Sequence, residues 1–364
     1  MTSSSTPPGF GLSHVEFHVE DLAESAGHLM NRYGFRTAGR AGPAAGMPAS
    51  GSLALRQSHT TLVLTQALAD DHPADAYVRR HGDGVADIAL STPDAAAAFT
   101  EAVARGARPL AAPRRHDDGR TTATIAGVAD IAHTLVDHDA ARPAPLPPDF
   151  TAVPRAPRGS GGEGALQTVD HCAICLEAGQ LAPTVDFYTR VLGFEVIFTE
   201  HIAIGAQAMD SQVVQSPSGT VTLTLIEPDV TAEPGQIDRF LKEHDGPGVQ
   251  HVAFRSADIV RTVTTLRGHG VDFLPVPRAY YDMLEARLVP ARHTTTELRA
   301  LDILVDEDHD GQLFQLFTRS THTRRTLFFE VIERVGARTF GDGNIKALYE
   351  AVESERATAR GHRP

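Results

Sequence analysis

The sequence predicts an α+β protein made of two tandem domains, each built from two βαβββ modules. Three observations carry this expectation. A strand-like run of alternating apolar and polar residues, a helix-patterned stretch and further strand runs recur in that order four times along the chain. The spacing also repeats: 157 residues separate His14 from His171 and 164 separate Asp87 from His251, while 73 and 80 residues separate the two markers within each half. Such a period marks an internal duplication. Finally, residues 142–164 are crowded with proline and then glycine, the composition of a linker. Domains are therefore expected at 1–150 and 167–364, with 151–166 between them.

In chain order, the first strand (13–20) places Val15, Phe17 and Val19 on one face and His14, Glu16 and His18 on the other, a polar and solvated one. A helix over 22–33 is stopped by Gly34. Strands near 35–39, 52–57 and 60–65 follow, with a loop at 41–51. The second module has a strand at 85–90, a helix at 94–105 closed by Gly106, and strands at 121–125 and 131–136. The second half restates this order: strand 169–176, helix 183–191 stopped at Gly193, and strands 194–199, 211–215 and 220–226. The last module has strand 249–255, helix 259–268, and strands 301–305, 312–318 and 327–333. Residues 343–352 read as an amphipathic helix, capped by Asn344, with Leu348, Ala351 and Val352 on one face. It follows the last strand closely enough to close over a site there. Gly159, Gly161 and Gly164 have the spacing of a dinucleotide fingerprint but follow no strand, so they read as linker.

Composition narrows the function. A 41% hydrophobic and 22% charged chain of 364 residues is that of a globular protein of about two domains. No apolar run approaches the roughly 18 residues that cross a bilayer, and the first residues lack a signal core, so a cytoplasmic location is expected. A net charge of −13 argues against nucleic acid or an anionic membrane as partner. It also means that an anionic substrate needs a local positive centre, which a divalent metal with one anionic ligand supplies. Cys172 and Cys175 lack the second pair of a zinc site and, three apart on a strand, face opposite sides; they read as buried thiols.

The run Thr326 to Arg334 is apolar and strand-like yet carries Glu330 at its centre. Burying an unpaired carboxylate is costly unless a cation meets it. Two other strand runs, Val169 to Ile174 and Val249 to Phe254, each contain one histidine, His171 and His251. Either alone reads as a hydrogen-bonded core histidine. Together with Glu330, at matching places in the repeat, they fit the two-histidine, one-carboxylate facial triad of non-haem Fe(II) oxygenases. A second metal at His14, Asp87 and either His18 or His133 is the weaker reading, because no apolar strand with a central Glu occurs in the first half.

Val169-Asp170-His171, Gly248-Val249-Gln250-His251 and Phe328-Phe329-Glu330-Val331-Ile332-Glu333-Arg334 resemble the 4-hydroxyphenylpyruvate dioxygenase family of vicinal-oxygen-chelate enzymes. So do Gly235-Gln236-Ile237-Asp238, Tyr280-Tyr281-Asp282, Leu313 to Thr318 and Phe340-Gly341-Asp342-Gly343-Asn344. The likeness is dense over 169–353. It implies glyoxalase-like open barrels, a metal-free first domain, a catalytic second domain closed by the C-terminal helix, and Fe(II) on His171, His251 and Glu330. It also implies 4-hydroxyphenylpyruvate and O2 as substrates, the 2-oxo acid serving as its own co-substrate, and it is compatible with a homodimer. By the same resemblance Ser211 and Thr224 meet the phenol end, Gln315 the keto acid and Phe328 the ring, while Gln236, Ile226, Ile345 and Tyr349 also line the pocket.

Four positions depart from the usual pattern of the homogentisate-forming enzymes: Thr224 replaces a proline, Ile226 a polar amide, and Ile345 and Tyr349 replace phenylalanines. These departures imply the branch that hydroxylates the benzylic carbon to 4-hydroxymandelate, as in the biosynthesis of hydroxyphenylglycine-containing natural products. Homogentisate is the alternative product. A non-enzymatic small-molecule binding protein and a metal-dependent isomerase or lyase are the other functions that the same fold would accommodate.

Overall fold

The computed structural model describes residues 9–43, 49–138, 145–154, 165–339 and Asn344, with only the backbone of residues 285 and 286. The first half contains β1 (Gly11–His18), α1 (Leu22–Tyr33), β2 (Arg36–Ala41), β3 (Ser50–Gln57), β4 (Thr60–Ala67), α2 (Pro73–His81), β5 (Gly84–Thr92), α3 (Ala95–Ala104), β6 (Pro109–Arg115), β7 (Thr121–Ala126), β8 (Ala132–Asp137) and β9 (Thr151–Ala152). The second contains β10 (Val169–Cys175), α4 (Leu181–Asp186) running into a π-helical turn at Phe187–Val191, β11 (Glu195–Ile204), β12 (Gln207–Gln215), β13 (Thr222–Pro228), α5 (Gln236–His244) and β14 (Gly248–Arg255). It ends with α6 (Ile259–Gly268), α7 (Arg278–Arg287), α8 (Thr295–Ala300), β15 (Leu304–Glu307), β16 (Gln312–Phe317) and β17 (Phe328–Val335).

Each half is one curled mixed sheet, in the order β6-β7-β8-β5-β1-β4-β3-β2-β9 and β11-β12-β13-β10-β14-β17-β16-β15. The wiring is the same in both: β1 runs parallel to β4 and antiparallel to β5, as β10 does to β13 and β14. Register makes the duplication exact to the residue. His14 faces Ala89 as His171 faces Ala253, and Glu16 faces Asp87 as Ala173 faces His251.

Local signals account for the helix limits. The carboxylates of Asp21, Asp94 and Asp258 accept the amides of Glu24, Ala97 and Arg261 at the starts of α1, α3 and α6. Gly34 ends α1 in the left-handed conformation, φ 80°.

Five elements were not legible in the pattern, one of them α5, which buries only Ile237, Phe240 and His244. The buried positions of α2 are Ala74, Tyr77 and His81, which do not form an apolar stripe. All seven residues of β6 are exposed, so nothing alternates. In α7, tyrosines, charges and a methionine are mixed around the helix, and α8 is only six residues long. β9 also lies inside the expected linker yet pairs with β2, Gly39 opposite Ala152, so the first sheet extends past residue 150. The Gly159 to Gly164 motif lies outside the described residues.

Aromatic contacts join the two halves. Phe329, next to Glu330 but on the opposite face of β17, packs against Tyr33 at 5.1 Å, Phe254 at 5.4 Å and Phe17 at 6.4 Å between ring centroids. The His81 ring stacks on His244 at 4.3 Å and its Nδ1 lies 2.7 Å from the His244 carbonyl oxygen. These contacts seat β17 against the first domain. No helix among the described residues is long and apolar enough to cross a membrane.

One expectation is corrected. His14 is not on a solvated face; it is 5% exposed, and burial with the nearby Arg120 and Arg56 pushes its pKa down to about 4. The polar face of β1 is the inside of the curled sheet. Glu16 shares that interior, where burial and Asp87 raise its pKa to about 7. A carboxyl that holds its proton more tightly when folded loses stability as pH rises from its unfolded value towards 7. Glu16→Gln is thus expected to raise the unfolding free energy at pH 8 by on the order of 1 kcal/mol after allowing for solvent screening, and to give no gain at pH 4; denaturant unfolding at the two pH values checks it.

Candidate metal centre

The centre rests on three neighbouring strands. β14 lies between β10 and β17, and two adjacent rows cross them: His171, Ala253, Glu330 and then Ala173, His251, Phe328. Side chains two apart on a strand share a face, so the two histidines and the glutamate alternate with two alanines. Ala173 and Ala253 are fully buried and leave the space between the ligand groups open.

Three donor atoms meet there. His171 Nε2 and His251 Nε2 lie 3.3 and 3.4 Å from Glu330 Oε2, and 3.3 Å from each other. Glu330 is 1% exposed, and among the described residues no lysine or arginine is hydrogen bonded to it. Burial alone would raise its pKa; the two imidazoles outweigh that and hold it down at about 2. Burial likewise opposes charge on His171, but Glu330 and Asp170 raise it to about 9, whereas burial wins at His251 and lowers it. Without an ion, a proton on His171 balances the charge of Glu330, in the place that a cation would take among the same three atoms. Cis donors on a six-coordinate ion with bonds of about 2.1 Å are about 3.0 Å apart, so this triangle fits such an ion after a contraction of a few tenths of an ångström.

With this geometry in place, comparison with known proteins is decisive. The sequence profile of the glyoxalase/bleomycin resistance protein/dioxygenase superfamily matches residues 168–316, and a second profile of that superfamily matches residues 13–124. Proteins named 4-hydroxyphenylpyruvate dioxygenase from Aspergillus fumigatus and Dictyostelium discoideum are 32% and 31% identical, over 98% and 96% of this chain and 94% and 98% of their own. This chain belongs to the 4-hydroxyphenylpyruvate dioxygenase family. It is accordingly an enzyme. A solved structure of a triple mutant of 4-hydroxymandelate synthase from Streptomyces coelicolor is 44% identical, with a TM-score of 0.87 over 96% of this chain and all of that one.

Other residues expected to line the pocket of this dioxygenase-family chain divide into three groups. Ser211 stands opposite Ile226, and Ile226 and Thr224 stand beside Cys175 and Ala173, so all three face the same side as His171. The Thr224 hydroxyl is buried and has no hydrogen-bond partner among the described residues. Phe328 stacks on His251, centroids 5.0 Å apart at 26°. Gln315 sits against the centre but on Glu330: its Nε2 donates to Oε1 at 2.8 Å. Gln236 starts α5 and is half-buried. Ile345 and Tyr349, with the rest of the expected closing helix beyond Asn344, lie outside the described residues.

Sequence reasoning assigned no role to Asp170, Arg334 or Gln250, and treated Asn344 only as a cap. All four touch a ligand or its partner: Asp170 Oδ1 is 3.0 Å from His171 Nδ1, Gln250 Oε1 is 3.4 Å from His251 Nδ1, Arg334 pairs with Asp170, and Asn344 Nδ2 donates to Gln315 at 2.8 Å. The signal for two of them was adjacency, a carboxylate or amide immediately before each histidine.

The first domain shows why its equivalent site differs. Asp87 holds the register of His251, but two residues along from its partner Ala132 stands Thr134, not a glutamate. The Thr134 amide and hydroxyl both donate to Asp87. His133 is engaged with the Ile88 carbonyl and the Tyr188 hydroxyl. No metal-capable trio forms there among the described residues.

A second trio, Asp258, His293 and Glu333, also clusters, on the opposite side of β17. Its groups are already matched. Glu333 accepts the Ile259 amide at 2.7 Å and faces Arg292 at 2.7 Å and His293 at 2.9 Å, while Asp258 caps α6. This is an ion-pair network fastening a helix start. Glu333→Ala strands those donors, and is expected to lower unfolding free energy by about 3 kcal/mol without changing how many metal ions the protein binds, as read by denaturant titration and metal analysis.

Proposed function

We propose that this chain is a 4-hydroxymandelate synthase, converting 4-hydroxyphenylpyruvate and O2 to 4-hydroxymandelate and CO2 with Fe(II) held by His171, His251 and Glu330. The observation that carries the reading is the buried triangle of two imidazole nitrogens and one carboxylate oxygen, to which no lysine or arginine among the described residues is hydrogen bonded. The 44% identity to a 4-hydroxymandelate synthase over nearly the whole chain supports the choice within the family. Catalysis is assigned to residues 167–364, and a scaffolding role to 1–150.

The bound iron supplies chelation of the 2-oxo acid and activation of O2. The residues of this chain do the rest. Asp170 accepts the Nδ1 proton of His171, which leaves Nε2 free to ligate. Gln315 holds Oε1 of Glu330, so that Oε2 alone faces the imidazoles. The unpaired Thr224 hydroxyl, with Ser211 beside it on the wall, is placed to hydrogen bond a phenol, and Ile226 presents an apolar surface between them.

The reaction places one oxygen atom of O2 in the new carboxylate and the other on the benzylic carbon, while the original carboxylate leaves as CO2. Which carbon is oxidised depends on how the ring is held, and a shift of about 1 Å changes rates by orders of magnitude. With Ile226 and Ile345 in place of a polar anchor and a larger ring, the aromatic ring rotates away from the metal and the CH2 is presented instead.

Anaerobic loading with Fe(II), addition of 4-hydroxyphenylpyruvate and air, and chromatography of the product test this directly: 4-hydroxymandelate is expected, and homogentisate as sole product overturns it. His171→Ala, His251→Ala and Glu330→Ala should each abolish oxygen uptake, which a simple binding protein would not require. Ile226→Asn combined with Ile345→Phe should shift product towards homogentisate, measured as the ratio of the two.

A further inference from the structure

Two hydrogen-bonded chains leave the ligand triangle in different directions and end on the same stretch of polypeptide. The first begins at His171, whose Nδ1 meets Asp170. Arg334 grips that carboxylate with two nitrogens, Nε at 2.9 Å from Oδ2 and Nη2 at 2.9 Å from Oδ1. Its third nitrogen, Nη1, donates to the carbonyl of Thr339 at 2.6 Å and lies 3.5 Å from that of Ala337. The second begins at Glu330. Oε1 accepts from Gln315 Nε2, Gln315 Oε1 accepts from Asn344 Nδ2 at 2.8 Å, and Asn344 Oδ1 lies 3.2 Å from the Tyr280 hydroxyl. Gln315 and Asn344 are 2% and 0% exposed.

Chemistry fixes the polarity of the second chain. A carboxylate only accepts, so Gln315 must turn its NH2 towards Glu330 and its oxygen towards Asn344, which must then donate. Remove Asn344 and the buried Gln315 oxygen loses its donor, so the amide that holds Glu330 is fastened at one end only. The anchoring stretch is itself fastened. Asp308 accepts the amides of Arg338 and Thr339, both at 2.7 Å. Gly311 and Gly336 approach so closely that a Cβ on either would collide with the other turn's backbone. By contrast, among the described residues the Nδ1 of His251 meets only the Gln250 side-chain oxygen, at a long 3.4 Å.

We infer that residues 334–339 and Asn344 form part of the apparatus that holds the metal, with Arg334 and Asn344 as positioning residues acting through Asp170 and Gln315 on two of the three ligands. These residues set the orientation of an imidazole and the plane of a carboxylate before any substrate arrives. This inference rests on the metal reading above, and the experiment separates the two.

Metal-free, substrate-free full-length protein is titrated with Co(II), whose visible spectrum reports coordination, and Fe(II) affinity is measured anaerobically against a chelator. Asn344→Ala and Asp170→Asn should each weaken Co(II) and Fe(II) binding by about 10- to 100-fold and alter the Co(II) band. Arg334→Lys, which keeps the charge but loses the two-pronged grip, should weaken it less, and Gln250→Ala should change it little. Because Asp170→Asn also disturbs a buried ion pair, Asn344→Ala, whose partners are neutral, is the deciding variant. Affinity and spectrum unchanged in Asn344→Ala, with only turnover reduced, would sink the inference. A wild-type chain that binds no ion, or a His171→Ala variant that binds like wild type, overturns the metal reading itself.

Discussion

A carboxylate sealed inside a sheet with no basic side chain against it is the constraint around which this protein is arranged. Glu330 sits at the centre of a strand that is apolar on both sides, and its neighbour Phe329 is clamped by rings from both domains. That clamp seats the strand against the first domain, so the position of Glu330 is set by packing as well as by pairing. With the charge so placed, the groups that meet it among the described residues are two imidazoles and the Gln315 amide, with Arg334 acting from farther off. The contrast with Glu333, three residues on and facing the other way, is instructive: there Arg292 neutralises the charge and a helix start uses the remaining lone pair. Two buried glutamates on one strand thus have opposite roles, decided by which face they occupy.

The duplication explains how such a site arises and why it arises once. In both halves the interior of the curled sheet is the natural meeting place of the first and fifth strands, and polar residues line it in both. In the second half the three equivalent positions carry His, His and Glu. The first half keeps His14 but has Asp87 and Thr134, which satisfy each other. A self-satisfied pair offers no converging lone pairs, and the buried charges there are relieved by proton uptake, with Glu16 and Asp87 raised to about 7 and about 6. Two of the three register positions therefore differ between the halves, Asp87 for His251 and Thr134 for Glu330.

Most of the ladder was legible along the chain because strands buried on one face and helices capped by Asp or closed by Gly leave short-range signals. The elements that escaped are short or lack a wide apolar stripe: α2 and α5, each of which buries a histidine among its few inward residues, β6, which buries nothing, and α7 and α8, in which apolar and charged residues are mixed. The triad was readable for a similar reason. A histidine or glutamate inside an apolar strand run violates the local pattern, and the repeat placed the violations at matching positions.

The chain alone therefore determined which residues are out of place, namely His171, His251 and Glu330, because the cost of burying polar groups is visible wherever they interrupt an apolar run. It also determined that the molecule is two copies of one plan. Only the tertiary structure decided that the polar face of β1 is an interior, since curling of a sheet depends on contacts among distant strands. Tertiary structure alone likewise decided that Asp170, Arg334, Gln315 and Asn344 stand behind the ligands. Hydrogen-bond partners separated by up to 164 residues leave no mark on local sequence; they are chosen by where the fold brings them together.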